Sequence, residues 1–143
     1  MLSQTVEYAL RAVSYLASEN DRYAKTYEIA KHTCVPSAYL VKVLQELVAG
    51  KIVETKKGIG GGVKLSRSPE KITILEVVNA VEPIIRIKRC PLGLERHGRQ
   101  LCPLHRRLDA ALASMEKAFQ ETTLAEVLDK PAFPHTLCDI THE

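Results

Sequence analysis

The residues best suited to chemistry lie in one stretch, Arg89-Cys90-Pro91-Leu92-Gly93-Leu94-Glu95-Arg96-His97-Gly98-Arg99-Gln100-Leu101-Cys102-Pro103-Leu104-His105. Its proline and glycine content reads as a loop, and its two thiols and two imidazoles are all potential metal ligands. The pattern turns helical from Pro103, which puts Cys102 at a helix start, where free N–H groups and the macrodipole favour a thiolate. Cys102 and His105 then stand one turn apart on one side of that helix. Three chemistries fit these residues: an iron–sulfur cluster, a metal-free thiol switch or plain hinge, and a structural zinc site. The zinc reading has suitable ligand types but lacks the usual paired-cysteine knuckle. Cys138 and His142 stand four apart near the end of the chain and could add a ligand, although an unstructured tail accounts for them more simply.

A second stretch, residues 36–65, carries charge on a designed-looking frame. Leu40, Val43, Leu44 and Leu47 recur at helical spacing, leaving Ser37, Ala38, Tyr39, Lys42 and Gln45 off the apolar face. Ser37 is expected to cap this helix and Gly50 to close it in the left-handed conformation. Ile52-Val53 and Val63–Leu65 read as two short strands joined by Lys56-Lys57-Gly58-Ile59-Gly60-Gly61-Gly62, a basic hairpin able to approach another molecule closely. A helix followed by such a hairpin is the winged form of the helix-turn-helix, which points to DNA.

The remaining elements are those that must position these two stretches. Residues 3–18 read as a helix with Val6, Leu10, Val13 and Leu16 inward and Glu7, Arg11 and Ser14 off the stripe. Thr26 is expected to cap a short helix, to pair with the Ser37 helix, and to stand with the DNA-facing residues; Cys34, in the turn between them, reads as a small buried residue. Thr73 caps a helix ended by Pro83, and Ile84–Lys88 has no evident state. From Leu104 through Leu108, Ala111 or Leu112, Met115, and Ala118 or Phe119 runs an apolar stripe too long for the small core beside it, which a helix of a second copy would cover. Thr123 opens a last short helix. The tail from 131 has no clear periodicity.

Charge is divided along the chain. Residues 1–67 carry ten Lys and Arg against six Asp and Glu, residues 84–107 seven against one, and residues 108–143 two against seven. The basic portions are where phosphates would sit. A hydrophobic content of 45% excludes general disorder, and no apolar run approaches the ~18 residues of a membrane span. No secretory signal is visible at Met1–Leu10, and the uneven cysteine spacing does not suggest a disulfide framework, so a cytoplasmic location is expected. No nucleophile–base constellation or phosphate-cradling loop marks an enzyme.

The ordered motifs Ser37-Ala38-Tyr39-Leu40, Lys42-Val43-Leu44, Ala49-Gly50 and Lys57-Gly58-Ile59-Gly60-Gly61-Gly62, with the helices VEYALRAVSYLA and ITILEVVNAVEP, resemble the IscR, NsrR and CymR group. These are bacterial winged-helix regulators of the so-called Rrf-two family, and the likeness spans roughly residues 1–128. The resemblance implies a mainly α fold with a small β-hairpin wing and a long C-terminal dimerisation helix. It implies a homodimer, a repressor by expectation, on a pseudo-palindromic double-stranded operator, with the Ser37 helix in the major groove and Lys56, Lys57, Gly58 and Gly60 of the wing in the minor groove. Residues 1–83 would form the DNA-binding domain, 84–103 the sensor loop, 104–130 the dimerisation helices and 131–143 a disordered tail. Cluster-binding members carry three cysteines in the loop. Cys90, Cys102 and His105 match the outer two and a following histidine, and the middle cysteine is absent. A 2Fe–2S cluster would then draw on His97 in its place, as imidazole does in Rieske centres. It could also draw on Glu7, since some members recruit a carboxylate there from the partner subunit. Lys57 and Val63 depart from the arginine and the aromatic usual in the family's wing. The alternatives are a regulator without a cluster that answers to thiol state or to a partner enzyme, zinc or no metal in the loop, and a winged helix that has lost DNA and binds protein.

Overall fold

The structure, a computed structural model, describes residues 2–94 and 100–128. The element order is α1 (Gln4–Ser18), α2 (Thr26–Thr33), α3 (Ser37–Ala49), β1 (Val53–Lys56), β2 (Gly62–Leu65), a 3-10 turn (Pro69–Lys71), α4 (Ile74–Val81), α5 (Pro103–Gln120) and α6 (Leu124–Leu128). The two strands form an antiparallel hairpin, with Val53 opposite Leu65 and Lys56 opposite Gly62. The mainly α winged-helix architecture is therefore as expected from the sequence.

The core draws an apolar face from α1 to α4 and the hairpin: Val6, Val13 and Leu16 of α1, Ile29 of α2, Leu40, Val43 and Leu47 of α3, Val53, Val63 and Leu65 of the hairpin, and Val77 and Val78 of α4. Removing these side chains from water is the main stabilising term. Helix α1 is central, since α2, α3, α4, α6 and β2 all pack on it. That explains why Ser14, read as off the apolar stripe, is buried instead. The chain returns to this core after α5. Ile74 N–H donates to the Thr122 carbonyl (2.9 Å), Leu124 N–H donates to that of Ile72 (2.8 Å), and Leu124 is fully buried.

Three helix ends differ from expectation. Helix α3 starts a residue early in its bonding: the Pro36 carbonyl already accepts from Leu40 N–H (2.9 Å), so Pro36 is the N-cap and Ser37 the first helical residue. Lys25, not Thr26, caps α2, because the Glu28 carboxylate reaches back to accept its N–H at 2.7 Å. Gly50 has φ −76° and the left-handed residue is Lys51. Glycine at 50 answers a packing need: a Cβ there would lie 2.6 Å from that of Ala80 on α4. The Thr73 cap is as expected, with Thr73 and Glu76 bonding reciprocally across the first turn of α4.

Candidate nucleic-acid interface and cysteine segment

Helix α3 buries Leu40, Val43, Leu44 and Leu47 and leaves Ser37, Ala38, Tyr39, Lys42 and Gln45 exposed. The 3.6-residue period alone separates the two faces. Tyr39 leans on Tyr8 of α1, ring centroids 6.1 Å apart. Thr26, half-buried, begins α2, and Tyr27 beside it is exposed.

The wing is held from its root to its tip. Val63 and the loop residue Ala24 exchange both backbone hydrogen bonds at 2.8 Å. A Cβ at Gly62 would strike the Ala24 carbonyl, and one at Gly61 the Lys56 carbonyl, so neither position admits a side chain. Gly61 N–H donates to the Gly58 carbonyl (3.1 Å), and the Lys25 ammonium reaches the same oxygen at 3.4 Å. Tyr23 supports the outer face: Lys56 and Lys64 stand 5.8 and 5.0 Å from its ring centre, and its hydroxyl donates to Glu54 at 2.7 Å. That hydrogen bond, with some burial, raises the Tyr23 pKa. Lys56, Lys57, Gly58 and Gly60 are all exposed. Lys25 was not among the residues singled out from sequence. No local pattern marks it, because its partner, the Gly58 carbonyl, lies 33 residues on.

After α4 the chain runs without regular structure from Pro83 to Lys88. Arg86 pins it to α5, donating from Nε and Nη2 to the two Asp109 oxygens, both at 2.7 Å, and from Nη1 to Glu116 at 3.1 Å. Ile87 N–H adds a bond to Asp109 at 2.9 Å. The Arg86 bonds hold the Asp109 carboxyl below its usual range, and the two acids raise Arg86.

Cys90 and Cys102 are half-buried free thiols. Cys102 is the N-cap of α5, and its Sγ lies 3.2 Å from His105 Nδ1. The structure thus brings Cys102 and His105 together. Glu7 lies on α1, where it pairs with Arg11 at 3.1 Å and lines an apolar cleft of about 410 Å³ with Leu10, Ser14, Ile74 and Phe119. Among the described residues no three of His, Cys, Asp and Glu form a metal-holding group. His97 and the tail with Cys138 and His142 lie outside the described residues. Cys34, expected to be buried, is exposed at the left-handed C-cap of α2 (φ 54°), because the turn sends Val35 inward in its place.

The family model Rrf2, described as an iron-dependent transcriptional regulator, matches residues 2–130. This chain belongs to the Rrf2 family. A provisionally named HTH-type transcriptional regulator of Aquifex aeolicus is 31% identical over 140 residues, covering 94% of this chain and 97% of that protein. Among solved structures, T. potens IscR superposes with a TM-score of 0.74 at 19% identity, covering 90% of this chain and 85% of that one. CymR, the global cysteine regulator of B. subtilis, superposes with a TM-score of 0.72, also at 19% identity, covering 89% and 95%. This Rrf2 protein is a winged helix-turn-helix, DNA-binding transcriptional regulator and not an enzyme. Among the described residues no helix is long and apolar enough to cross a membrane.

Proposed function

We propose that this protein is a cytoplasmic homodimeric repressor of a pseudo-palindromic operator, with affinity set by the chemical state of the segment from Cys90 to His105. The observation that carries the DNA half is the division of α3: its apolar side is buried, and its Ser37, Ala38, Tyr39, Lys42 and Gln45 side stands bare beside a fixed basic wing. Helix α3 lies in the major groove, and Lys56, Lys57, Gly58 and Gly60 follow the backbone into the minor groove. Thr26 meets a phosphate from the start of α2. Two copies pair through α5. None of its 18 residues is buried, and Leu104 and Leu108 are 63% and 47% exposed.

Two thiols and an imidazole suit a 2Fe–2S cluster in kind, but they fall one short of four, and of the three only Cys102 and His105 stand together in this chain. Cys90, Cys102 and His105 would hold it, with His97 or Glu7 of a second copy as the fourth. When bound, the cluster would supply a charge and a redox state that oxidants and nitric oxide alter. The chain's own part is to tie this segment to α5 through Arg86, so that a change at Cys102 is felt along the helix that joins the two copies. Without a cluster, the Cys102–His105 contact supports thiol oxidation as the signal. Zinc is the further metal alternative.

The test joins spectroscopy to DNA selection. Anaerobically purified full-length protein should show visible charge-transfer bands with equal iron and sulfide, diminished by single substitutions of Cys90, Cys102, His105, His97 or Glu7. It should also select inverted-repeat duplexes from a random pool. Selection without iron or zinc, after attempted reconstitution, would leave thiol state as the signal. Recovery of a partner protein with no duplex would return the protein-binding reading.

A further inference from the structure

Ile59 is fully exposed at the tip of the wing, so it adds nothing to the packing of this chain. It is also held out by a fixed backbone. Gly58 and Gly60 on either side have φ of +87° and +75°, the Gly61 N–H closes the turn on the Gly58 carbonyl, and Lys25 reaches that same carbonyl. Lys56 and Lys57 precede it and are exposed. The tip therefore presents an apolar β-branched side chain on a basic stem.

The surroundings name the surface it meets. Cationic neighbours select a polyanion, whereas an isoleucine gains only where apolar walls exclude water. A minor groove offers both within about 6 Å of width: phosphates along the rims and deoxyribose carbons on the walls. A guanine N2 amino group on the floor would obstruct a branched side chain, and an A·T pair would not. We infer that Ile59 is a specificity-determining residue that enters the minor groove flanking the α3 site and selects pairs lacking the guanine amino group. This rests on the DNA-binding reading above, and concerns apolar contact rather than the lysine–phosphate contacts of the same hairpin.

The experiment uses the tightest duplex that the full-length wild-type protein selects from a random pool. It is synthesised with A·T, G·C or inosine·C at the pairs where hydroxyl-radical footprinting places the wing. Inosine·C keeps the major-groove pattern of G·C without the N2 amino group. The wild type should bind the A·T and inosine·C forms alike and the G·C form roughly tenfold more weakly. Ile59→Ser should bind the A·T form several-fold more weakly than wild type, lose the discrimination, and keep the wild-type salt slope, because no charge is removed. Retention of wild-type discrimination or affinity by Ile59→Ser would overturn the inference and leave DNA binding intact. Failure of the wild type to select any duplex would remove the DNA reading and this inference with it. Co-sedimentation of the wild type, but not Ile59→Ser, with phosphatidylglycerol vesicles, and no dependence on the amino group, would assign the tip to a membrane surface.

Discussion

Arg86 and Asp109 meet fork to fork, two nitrogens on two oxygens at 2.7 Å, and so join an irregular segment to the second turn of α5. Paired donors of this kind fix direction as well as distance. The same carboxylate accepts from Ile87 N–H, which makes Asp109 the common anchor for side chain and backbone.

Arg86→Leu should therefore loosen residues 84–94 before it affects the core. Hydrogen exchange at the Ile87 amide and limited proteolysis of the segment should both quicken, with α3 and α4 protection unchanged. Acid should likewise lower the Ile87 protection factor, taken relative to the intrinsic exchange rate, which itself slows as pH falls. The Asp109 pKa is lowered in the folded chain by Arg86, so its contribution is complete above the unfolded value of about 3.9 and is lost as pH falls below that through the folded value. Protection at Ile87 that is insensitive to both changes would argue against the clamp.

At the α3–α4 crossing, Gly50→Ala should lower stability by about 1–3 kcal/mol by overpacking, since the new Cβ meets that of Ala80. Adding Ala80→Gly should recover part of the loss, less the roughly 1 kcal/mol that a helical glycine costs. Denaturant midpoints of the two single variants and the double variant supply the cycle. Additive losses would show that the two positions do not share the contact.

Lys57→Ala should weaken binding to the selected duplex by a similar factor whatever its sequence. The slope of log affinity against log salt should fall by about 0.9, the share of one phosphate. An unchanged slope would mean that the Lys57 ammonium does not reach the backbone.

Helix α5 supplies a test of pairing. Leu108→Asp places a charge on the exposed apolar part of α5 and should convert the proposed dimer to a monomer in sedimentation, with the α1–α4 core still folded by circular dichroism. A dimer that survives Leu104→Asp and Leu108→Asp together would have to be built from another surface.

Much of this architecture was legible in the sequence because the period of apolar residues is a direct consequence of which face is buried. Leu40, Val43, Leu44 and Leu47 carry that signal for α3, and Thr73 with Glu76 carries the cap of α4. What escaped depends on contacts distant in the chain. Ser14 is buried because five elements converge on α1, and Gly50 is small because of Ala80, thirty residues on. Cap positions slipped by one residue at Lys25 and Pro36, where a carboxylate or a carbonyl from the neighbouring turn decided the matter. At the cysteine segment the Cys102–His105 pairing follows from helical spacing alone. The Arg86 clamp does not, because its acids lie 23 and 30 residues away.

The paired hydrogen bonds between Ala24 and Val63 have a thermodynamic consequence. They fasten the hairpin to the loop that enters α2, so the surface proposed to meet a duplex is already ordered before contact. Ordering a free hairpin on binding would cost roughly 1–2 kcal/mol of backbone entropy for each residue fixed. Here most of that cost is met when the chain folds, and association is left to draw on contact energy with little of it spent on restricting the protein.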